Sequence, residues 1–516
     1  MSGDYDLIVI GAGPAGVSAA VAASACGLAT AVIDEGAAAG GQVFRAPPQS
    51  WRAEPHADTG PDYAEGESLR ARLAASGVTH LRRHSVWSVT AGFEIRTISA
   101  QGEQGMRAPM VIAATGVTER ILPFPGWTTP GVIGLAAATN LLKSQQVLPG
   151  RRTLVAGAGP LVYAVAANII NGGGTVAAIA DLGSRADWIA TLPALLSSPD
   201  LLLRGLAWRA SLLRAGVPVY YAHLVARVHG EAFVTAAEIA PIDGNGAPLP
   251  GGEATRIEAD SVVVGHGLVP AVEITRLLRA RHEYVSVRGG WVAVHDNDFR
   301  TSVAGLYTAG DCAGVAGARA AVLSGEIAGL AAARDAGRLT EAEFQSRKAQ
   351  LASRHRRADR TGQRMSRLMA LRPGLLDAMT SDTIVCRCED VPRARIEDAL
   401  DNGASDCNEL KAWTRCGMGP CQGRTCGEAA AELVARRVGG REKAGHWTAR
   451  VPIRPVLIDQ LAAVCPYDEI WNSPAGKIAT AILPAENVAH LQHLQHLQHL
   501  QAPVAAASTT NPAPGK

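Results

Sequence analysis

The chain has 516 residues, of which 47% are hydrophobic and 19% are charged, and its formal net charge is +2. A chain of this length folds into several domains, and its near-neutral charge excludes a global electrostatic attraction to nucleic acid or membrane. Nine cysteines are too few for a disulfide framework, and five of them stand in two short C-terminal motifs. This usage indicates a thiolate site in a reducing compartment.

The N-terminal segment "MSGDYDLIVIGAG" enters a strand almost at once. It has no basic region followed by a long apolar run, so we expect no secretory signal. No run of about eighteen apolar residues lacks interrupting polar groups, so the sequence predicts no transmembrane helix. We therefore expect a cytoplasmic protein that makes at most peripheral contact with the inner face of the membrane.

Residues 6–36 read as a strand, a glycine turn, a helix and a second strand. Gly11 permits the tight turn, Gly13 lets the backbone approach a pyrophosphate, and Gly16 lets helix and strand pack closely. Phosphates favour the helix N-terminus, where free N–H groups and the dipole attract anions. Asp34 ends the second strand, 23 residues after Gly11, where a carboxylate can accept both ribose hydroxyls. The motif predicts a dinucleotide-binding domain.

A second motif, "TSVAGLYTAGDCAGVAGARAAVLSGEIAGLAAA" at 301–333, resembles the second FAD motif of the glutathione reductase-like flavoproteins. The segments "AATG" (113–116) and "GGQ" (40–42) resemble that family's linking motif and a loop beside the isoalloxazine ring. The resemblance implies that Asp311 bonds the ribityl or pyrophosphate part of FAD. It also implies that a helix starting near Gly317 points at the flavin, where its dipole stabilises the anionic reduced ring. The implied FAD residues are Gly11, Gly13, Pro14, Ala15, Gly16, Asp34, Glu35, Gly41, Gln42, Thr115, Gly116, Gly310, Asp311, Gly317 and Ala318.

Residues 152–182 repeat the strand–turn–helix–strand pattern, and in the resembled family this inserted domain binds NAD(P)H. Gly157, Gly159 and Asp181 match that pattern, but Val162 replaces the third glycine and Tyr163 follows it. A branched side chain there crowds the phosphate turn, and the Asp disfavours NADP. Three alternatives stay open: NAD with an adjusted turn, a structural adenine nucleotide such as ATP, or a scaffold without a ligand.

Between Cys26 and Cys312 the chain has no cysteine. Disulfide reductases of this fold need a redox-active cysteine pair that faces the flavin. Thioredoxin-reductase and glutathione-reductase chemistry are therefore excluded. We expect Cys26, on the first predicted helix, to be a packed thiol, and Cys312 to be buried near the cofactor.

Two motifs near the C-terminus concentrate thiols, "VCRCEDV" (385–391) and "TRCGMGPCQGRTC" (414–426). All-thiolate ligation permits zinc or an iron–sulfur cluster, although structural zinc sites more often use CxxC than CxC. The segment between the motifs reads as short helices joined by polar turns. The chemistry of the residues alone leaves both metals open.

The same motifs resemble the bacterioferritin-associated-ferredoxin-like [2Fe–2S] domain. The resemblance implies the ligands Cys386, Cys388, Cys421 and Cys426, because the position of Cys416 is frequently not a cysteine there. Cys416 could displace one of these ligands or remain a spare thiol. Glycines at 417, 419 and 423 would let backbone N–H groups approach the cluster sulfides.

The segment 346–372 is strongly basic and predicts either a solvated helical face or a docking surface for an acidic partner or a membrane. Near the end of the chain, residues 490–501 repeat "HLQ". A three-residue repeat makes no fixed apolar stripe on a helix, so we expect a disordered tail.

The sequence therefore predicts an α/β protein with two glutathione reductase-like dinucleotide-binding domains and a small helical [2Fe–2S] domain. This order resembles the α (A) subunit of heteromeric flavin dehydrogenases, which include the opine oxidases, the D-hydroxyproline and L-proline dehydrogenases and hydrogen cyanide synthase. The expected boundaries are 1–120 and 290–335 for the FAD domain, 121–289 for the degenerate NAD(P)-like domain, 336–380 for a basic helical linker, 381–440 for the [2Fe–2S] domain, and 441–516 for a C-terminal extension.

The resemblance implies a β subunit with its own flavin, where an opine, proline, D-hydroxyproline or similar amine is oxidised, and leaves room for a small [2Fe–2S] γ subunit. This chain would relay the electrons through FAD and the cluster to an acceptor other than O2, such as a quinone. No histidine or acid pair has a spacing that demands small-molecule chemistry. Two alternatives remain: a self-contained NADH-dependent flavin reductase, and a non-enzymatic iron–sulfur sensor or scaffold.

Overall fold

The computed structural model describes residues 5–45, 47 and 61–462. The expected disordered tail and its "HLQ" repeat lie outside the described residues. The chain divides into two compact units, Met1–Pro455 and Val456–Lys516. The first unit holds all the strands and helices given below except α14, which belongs to the second.

The strands, in chain order, are β1 (Leu7–Ile10), β2 (Thr30–Asp34), β3 (Thr79–Arg82), β4 (Ser85–Val89), β5 (Glu94–Ser99), β6 (Gly102–Arg107), β7 (Met110–Ala113), β8 (Val117–Glu119), β9 (Val132–Gly134), β10 (Arg152–Gly157), β11 (Thr175–Asp181), β12 (Val219–Tyr221), β13 (His223–His229), β14 (Ala236–Pro241), β15 (Thr255–Glu258), β16 (Ser261–Gly265), β17 (Leu268–Pro270), β18 (His282–Val285), β19 (Gly290–Ala293), β20 (Leu306–Thr308), β21 (Ile384–Cys386) and β22 (Val391–Pro392).

The α-helices are α1 (Pro14–Ser24), α2 (Pro61–Ala74), α3 (Leu135–Asn140), α4 (Pro160–Asn171), α5 (Arg185–Leu196), α6 (Pro199–Arg214), α7 (Glu273–Leu277), α8 (Ala318–Asp335), α9 (Glu341–Leu368), α10 (Arg393–Asp401), α11 (Cys407–Thr414), α12 (Gly427–Val438), α13 (Arg441–Ala444) and α14 (Ile458–Ala462). Cys26 lies two residues beyond the end of α1 and not on it, and the thiol is half-buried.

The first sheet has the strand order β20-β7-β1-β2-β3, and its strands are parallel. Its inner strands are continuous apolar runs, as expected of a parallel sheet that is covered on both faces. Helices α1 and α8 cover one face, where a Cβ added at Gly325 would lie 2.1 Å from the carbonyl oxygen of Ala15. The two helices therefore touch backbone to backbone. The antiparallel sheet β4-β5-β6 covers the other face.

The second sheet has the order β12-β11-β10-β16-β9 and is also parallel. Helices α3, α4 and α6 cover one face, and the antiparallel sheet β13-β14-β15 covers the other. Each parallel sheet carries a glycine turn between a strand and the following helix, after β1 in the first sheet and after β10 in the second. This architecture confirms the predicted α/β class with two dinucleotide-binding folds.

The cysteine-rich region is a small helical domain that packs against the second fold. Helices α10, α11 and α12 surround an apolar core that continues into the second fold through Leu182, Leu224 and Ile242. Leu375 and Leu376, which follow the basic helix α9, lie in the same core. Because the core is shared, the cysteine-rich domain has a fixed position on the body of the protein.

Arg120 lies where the chain leaves the first domain, directly after strand β8, which pairs antiparallel with β17. Its side chain is only 1% exposed. The guanidinium donates to the carbonyl oxygens of Gly289 (2.6 Å) and Met369 (3.1 Å), and to a carboxylate oxygen of Glu428 on α12 (3.1 Å). Glu428 also pairs with Arg441 at 2.7 Å. The buried Arg120 side chain thus connects the segment that leaves the first domain with the end of α9 and with the cysteine-rich domain.

We expect Arg120→Met to lower the free energy of unfolding by about 3–5 kcal/mol, because it removes one partner of a buried ion pair. Urea unfolding followed by circular dichroism measures this change. The control is Arg256→Met, since Arg256 and Glu258 form an exposed pair at 3.0 Å and such pairs contribute at most about 1 kcal/mol. Equal effects of the two substitutions would contradict the role given to Arg120.

Candidate functional site

A cavity of about 1160 Å³ lies at the carboxyl ends of the strands of the first sheet. It exceeds the roughly 300–1,000 Å³ of sites for drug-sized ligands, as an extended dinucleotide requires. Twelve of the fifteen residues implied for FAD line it: Gly11, Gly13, Pro14, Ala15, Asp34, Glu35, Gly41, Gln42, Thr115, Gly116, Asp311 and Ala318. The residues present therefore fit FAD.

The three remaining residues position the wall of the cavity. A Cβ at Gly16 would lie 1.7 Å from the carbonyl oxygen of Gly11, and one at Gly310 would lie 2.6 Å from the Cβ of Ala15. Gly317 precedes α8 and donates its backbone N–H to Asp311 at 2.9 Å. At Gly13 the nearest atom to an added Cβ is 3.9 Å away. Among the three glycines of the first turn, Gly11, Gly13 and Gly16, Gly13 is thus the one with free space in front of it, where a pyrophosphate can approach.

Asp34 and Asp311 both hold backbone around the cavity. The Asp34 carboxylate accepts from the N–H of Ala12 and of Gly36, each at 2.6 Å. Asp311 accepts from Ala316 and Gly317, each at 2.9 Å, just before α8 begins. Each carboxylate therefore has two roles. It fixes a turn that borders the cavity, and it lines the space that the ligand would occupy.

Sequence reasoning missed other residues that line or support the cavity. Arg70 on α2 donates to the carbonyl oxygens of Ala39 and Phe44, both at 3.0 Å, and so holds the loop that carries Gly41 and Gln42. Ile453 and Arg454 line the cavity from the far end of the sequence. No local motif marks these three positions, because each acts through contacts distant in sequence.

In the second fold, the acid expected to meet a ribose is engaged by protein. Asp181 is fully buried, and Oδ2 accepts from the Tyr163 hydroxyl and the Trp188 indole N–H, both at 2.7 Å. Oδ1 accepts from the N–H of Gly183 at 2.8 Å. Burial and the neighbouring Asp181 charge raise the pKa of Tyr163, so its hydroxyl stays a donor.

The glycine turn of the second fold is also covered. A Cβ added at Gly159 would lie 2.7 Å from Cγ of Met369, just beyond α9. Arg372 donates to the carbonyl oxygen of Leu182 at 2.8 Å and to Asp187 at 2.9 Å. The segment after α9 thus packs over the surface where a dinucleotide would lie. These contacts favour the scaffold among the three alternatives left open by the sequence.

A histidine directly after β16 has a structural role. His266 is half-buried beside Arg120, and its Nδ1 accepts from the backbone N–H of Leu122 at 3.2 Å. Burial, with the nearby Arg120 charge, lowers the pKa of His266 to about 4, so the ring is neutral at pH 7.

Two segments bring five thiols together. The β21–β22 hairpin carries Cys386 and Cys388, and residues 415–426 between α11 and α12, which we call the cysteine-rich loop, carry Cys416, Cys421 and Cys426. The sulfur atoms of Cys386, Cys416 and Cys426 lie within 4.8 Å of one another, and all three residues are buried. Cys388 and Cys421 are half-buried and share a hydrogen bond. The four ligands implied by the resemblance thus lie as two pairs, Cys386 with Cys426 and Cys388 with Cys421, and Cys416 belongs to the same buried group as the first pair. An all-thiolate donor set fits a [2Fe–2S] cluster.

Hydrogen bonds from the neighbouring thiols distinguish one cysteine of this group. Those from Cys416 and Cys426 hold the pKa of Cys386 far below its ordinary value, although burial opposes the shift.

The glycines of this loop also have a packing role, besides the expected approach of their N–H groups to the cluster sulfides, which stays a prediction. Gly417 and Gly423 have positive φ angles of 86° and 80°. A Cβ at either would lie within 2.6 Å of the Trp447 ring, and a Cβ at Gly419 would lie 2.2 Å from Cβ of Cys388. These positions are glycine because an aromatic ring and a neighbouring cysteine lie against the backbone.

NADH should not reduce the flavin of the isolated chain, because Asp181 and Gly159 are covered by protein side chains. Anaerobic stopped-flow absorbance at the flavin band measures the reaction, and reduction by dithionite shows that the flavin is accessible to electrons. Rapid bleaching by NADH would contradict this prediction and restore the self-contained reductase.

Cys421→Ser should abolish or alter the cluster's absorption and its electron paramagnetic resonance signal, whereas Cys416→Ser should leave both intact. The reason is that the implied ligand set contains Cys421 and leaves Cys416 outside. Serine nearly preserves volume, which makes the two variants matched controls for each other. The reverse outcome would place Cys416 in the ligand set instead.

Comparison with protein families gives two matches. Residues 5–340 match the model "Pyridine nucleotide-disulphide oxidoreductase", and residues 384–436 match "BFD-like [2Fe-2S] binding domain". The chain is therefore an FAD-dependent oxidoreductase that also carries a [2Fe–2S] cluster. Both cofactors predicted from the sequence are confirmed. No helix in the described part of the chain is long and apolar enough to cross a membrane.

Curated relatives match nearly the whole chain. The opine oxidase A subunit of Agrobacterium tumefaciens (strain Ach5) is 34% identical over 481 residues, covering 90% of this chain and 92% of the relative. The HcnB subunit of hydrogen cyanide synthase from Pseudomonas aeruginosa is 31% identical over 453 residues, covering 87% and 96%.

Among solved structures, L-proline dehydrogenase from P. horikoshii has a similar fold, with a TM-score of 0.62 at 20% identity, covering 89% of this chain and 80% of that one. Together with the site geometry, the extent of these matches establishes that the chain belongs to the pyridine nucleotide-disulphide oxidoreductase family, in the group that contains the opine oxidase A subunit and the hydrogen cyanide synthase HcnB subunit.

Proposed function

We propose that this chain is the electron-transfer subunit of a heteromeric dehydrogenase that oxidises an opine, proline, D-hydroxyproline or a similar amine or imino acid. The observation that carries the proposal is that an FAD cavity and a group of five cysteines lie in one compact unit. When bound, FAD exchanges electrons in pairs or singly and the cluster carries them one at a time, so the chain can connect an amine donor to a one-electron acceptor.

The contacts of the carboxylates in the FAD cavity support the proposal that the substrate is oxidised on another subunit. All five that line it in the described part of the chain are engaged by protein groups. Asp34 and Asp311 accept backbone N–H groups. Glu35, Glu67 and Glu273 pair with Arg454, Arg70 and Arg424. A base that removes a proton from an amine substrate must be free to accept it, so these five carboxylates do not fit that role, and we place the base on a partner subunit.

An exposed apolar surface supports a partner. Helices α5 and α6 each present an apolar stripe at helical spacing, formed by Ile189, Leu192 and Leu196 on α5, and by Leu203, Leu206 and Leu213 on α6. These side chains are 44–68% exposed. Contiguous exposed apolar patches mark interaction sites. We call these six residues the leucine face.

A basic stripe lies beside the leucine face. Arg357, Arg360, Arg364 and Arg367 are exposed along one side of α9. Arg357 donates to the carbonyl oxygen of Ser197, at the end of α5, at 2.9 Å. An apolar centre with a basic border fits a subunit that presents an apolar patch beside acidic side chains. The basic segment is thus better explained as part of a docking surface than as a solvated face alone.

The relatives' names support the same division of labour. The opine oxidase A subunit and the hydrogen cyanide synthase HcnB subunit are each one part of an enzyme, and they match almost the full length of this chain. We therefore propose a partner that carries its own flavin and oxidises the amine. The acceptor is a quinone or another molecule different from O2, and a small [2Fe–2S] subunit can complete the complex.

The test is expression of the chain alone and together with the subunit encoded beside it. Amine-dependent reduction of a dye should require both chains, and a panel of opines, proline and D-hydroxyproline then identifies the substrate. Leu203→Asp with Leu206→Asp should prevent co-purification of the partner and leave the bound flavin unchanged.

The control is Leu249→Asp, at a leucine that is 43% exposed on another part of the surface. This variant should co-purify with the partner as the wild-type chain does. Full amine-dependent activity of the single chain would overturn the division of labour. Normal co-purification of the double variant would overturn only the assignment of the leucine face.

A further inference from the structure

Residues 446–454, which we call the strap, follow the [2Fe–2S] domain and lie beyond the part of the chain that matches that family, which ends at residue 436. The strap runs from the cysteine-rich loop to the FAD cavity. Its contacts fall into three groups, one at the loop, one midway and one at the cavity.

At the loop, Trp447 covers the backbone between the cysteines. A Cβ at Gly417, Gly423 or Gly427 would lie 2.6, 1.8 or 3.1 Å from the Trp447 ring. The indole N–H donates to the carbonyl oxygen of Cys407 at 2.8 Å. The ring therefore lies against the turn that presents Cys416, Cys421 and Cys426.

Midway, two side chains of the loop hold the backbone of the strap. Gln422 donates to the carbonyl oxygen of Pro452 at 2.7 Å, and Arg424 donates to that of Ile453 at 2.6 Å. Arg424 also pairs with Glu273, a residue of the FAD cavity wall, at 3.0 Å. Both donors stand between Cys421 and Cys426 in the sequence, so the fold of the loop fixes where they point.

At the cavity, the strap supplies part of the wall. Ile453 donates its N–H to the carbonyl oxygen of Trp87 on β4 at 2.8 Å, and its side chain is 5% exposed in the apolar core beneath the sheet. Arg454 donates to a carboxylate oxygen of Glu35 at 2.6 Å. Glu35 follows Asp34 at the end of β2, and all three cavity residues, Ile453, Arg454 and Glu35, face the same space.

We propose that the strap couples the two cofactor sites, with Arg454 positioning Glu35 for FAD and with the cluster loop holding the strap. A cluster that orders the loop fixes Gln422 and Arg424, and these donors fix the carbonyl groups beside Arg454. FAD binding and cluster binding therefore strengthen each other, because a coupling between two sites is reciprocal. Couplings of this kind change affinities by about 5–150-fold. This inference concerns the cofactors alone and does not depend on the partner or substrate of the proposed function.

The experiment measures the dissociation constant of FAD by fluorescence in protein with and without its cluster, the cluster being removed by anaerobic chelation. Wild-type protein should bind FAD at least about 5-fold more weakly after the cluster is removed. Arg454→Gln should bind FAD more weakly than wild type while keeping the cluster's absorption, and cluster removal should then change its FAD affinity little. Arg454→Lys should restore part of the coupling.

Arg450→Gln is the matched control, since Arg450 is exposed on the same strap, and it should behave as wild type. An unchanged FAD affinity after cluster removal from wild type would overturn the coupling. If removal of the cluster weakens FAD binding equally in wild type and in Arg454→Gln, the coupling does not pass through Arg454. Neither measurement needs a partner or an amine, so failure here is distinct from failure of the proposed function.

Discussion

The arrangement of the domains depends on the neutralisation of one buried charge. Arg120 is almost fully buried, and a guanidinium in that position must be paired because its desolvation is costly. Glu428 supplies the pairing carboxylate from α12, only two residues after Cys426. Although burial opposes it, the charges of Arg441 and Arg120 hold the pKa of Glu428 below its ordinary value. The cysteine-rich domain is therefore held in place by the charge requirement of the flavoprotein body.

The second dinucleotide fold shows how a binding domain can become a supporting one. Its sheet, glycine turn and acid are all retained. Tyr163 and Trp188 close around Asp181, and Met369 lies on the glycine turn. The same face carries the apolar core shared with the cysteine-rich domain. A surface that could receive a nucleotide is thus used to seat another part of the chain.

Local spacing was enough to predict the fold class and most of the FAD site. Gly16 is set by a close backbone contact with Gly11 inside one strand–helix unit, so the sequence records it directly. The roles of Arg120, Arg70 and Arg454 could not be predicted, because each depends on a contact with a part of the chain distant in sequence, for Arg70 the carbonyl groups of Ala39 and Phe44. Gly417 and Gly423 were predicted to present backbone N–H groups to a cluster. Their contact with the Trp447 ring could not be predicted, because no spacing rule connects a glycine with an aromatic residue so far along the chain. The grouping of Cys416 with Cys386 and Cys426 likewise depends on the folded loop.

The strap also bears on how the protein is made. Sequence matches end the flavoprotein region at residue 340 and the [2Fe–2S] region at residue 436. The wall of the FAD cavity is nevertheless completed by residues 453 and 454. During synthesis the first domain therefore emerges with an open cavity and waits for more than a hundred further residues. The wall of the cavity is complete only late in synthesis, and a fragment cut at either sequence boundary would lack part of its own cofactor site.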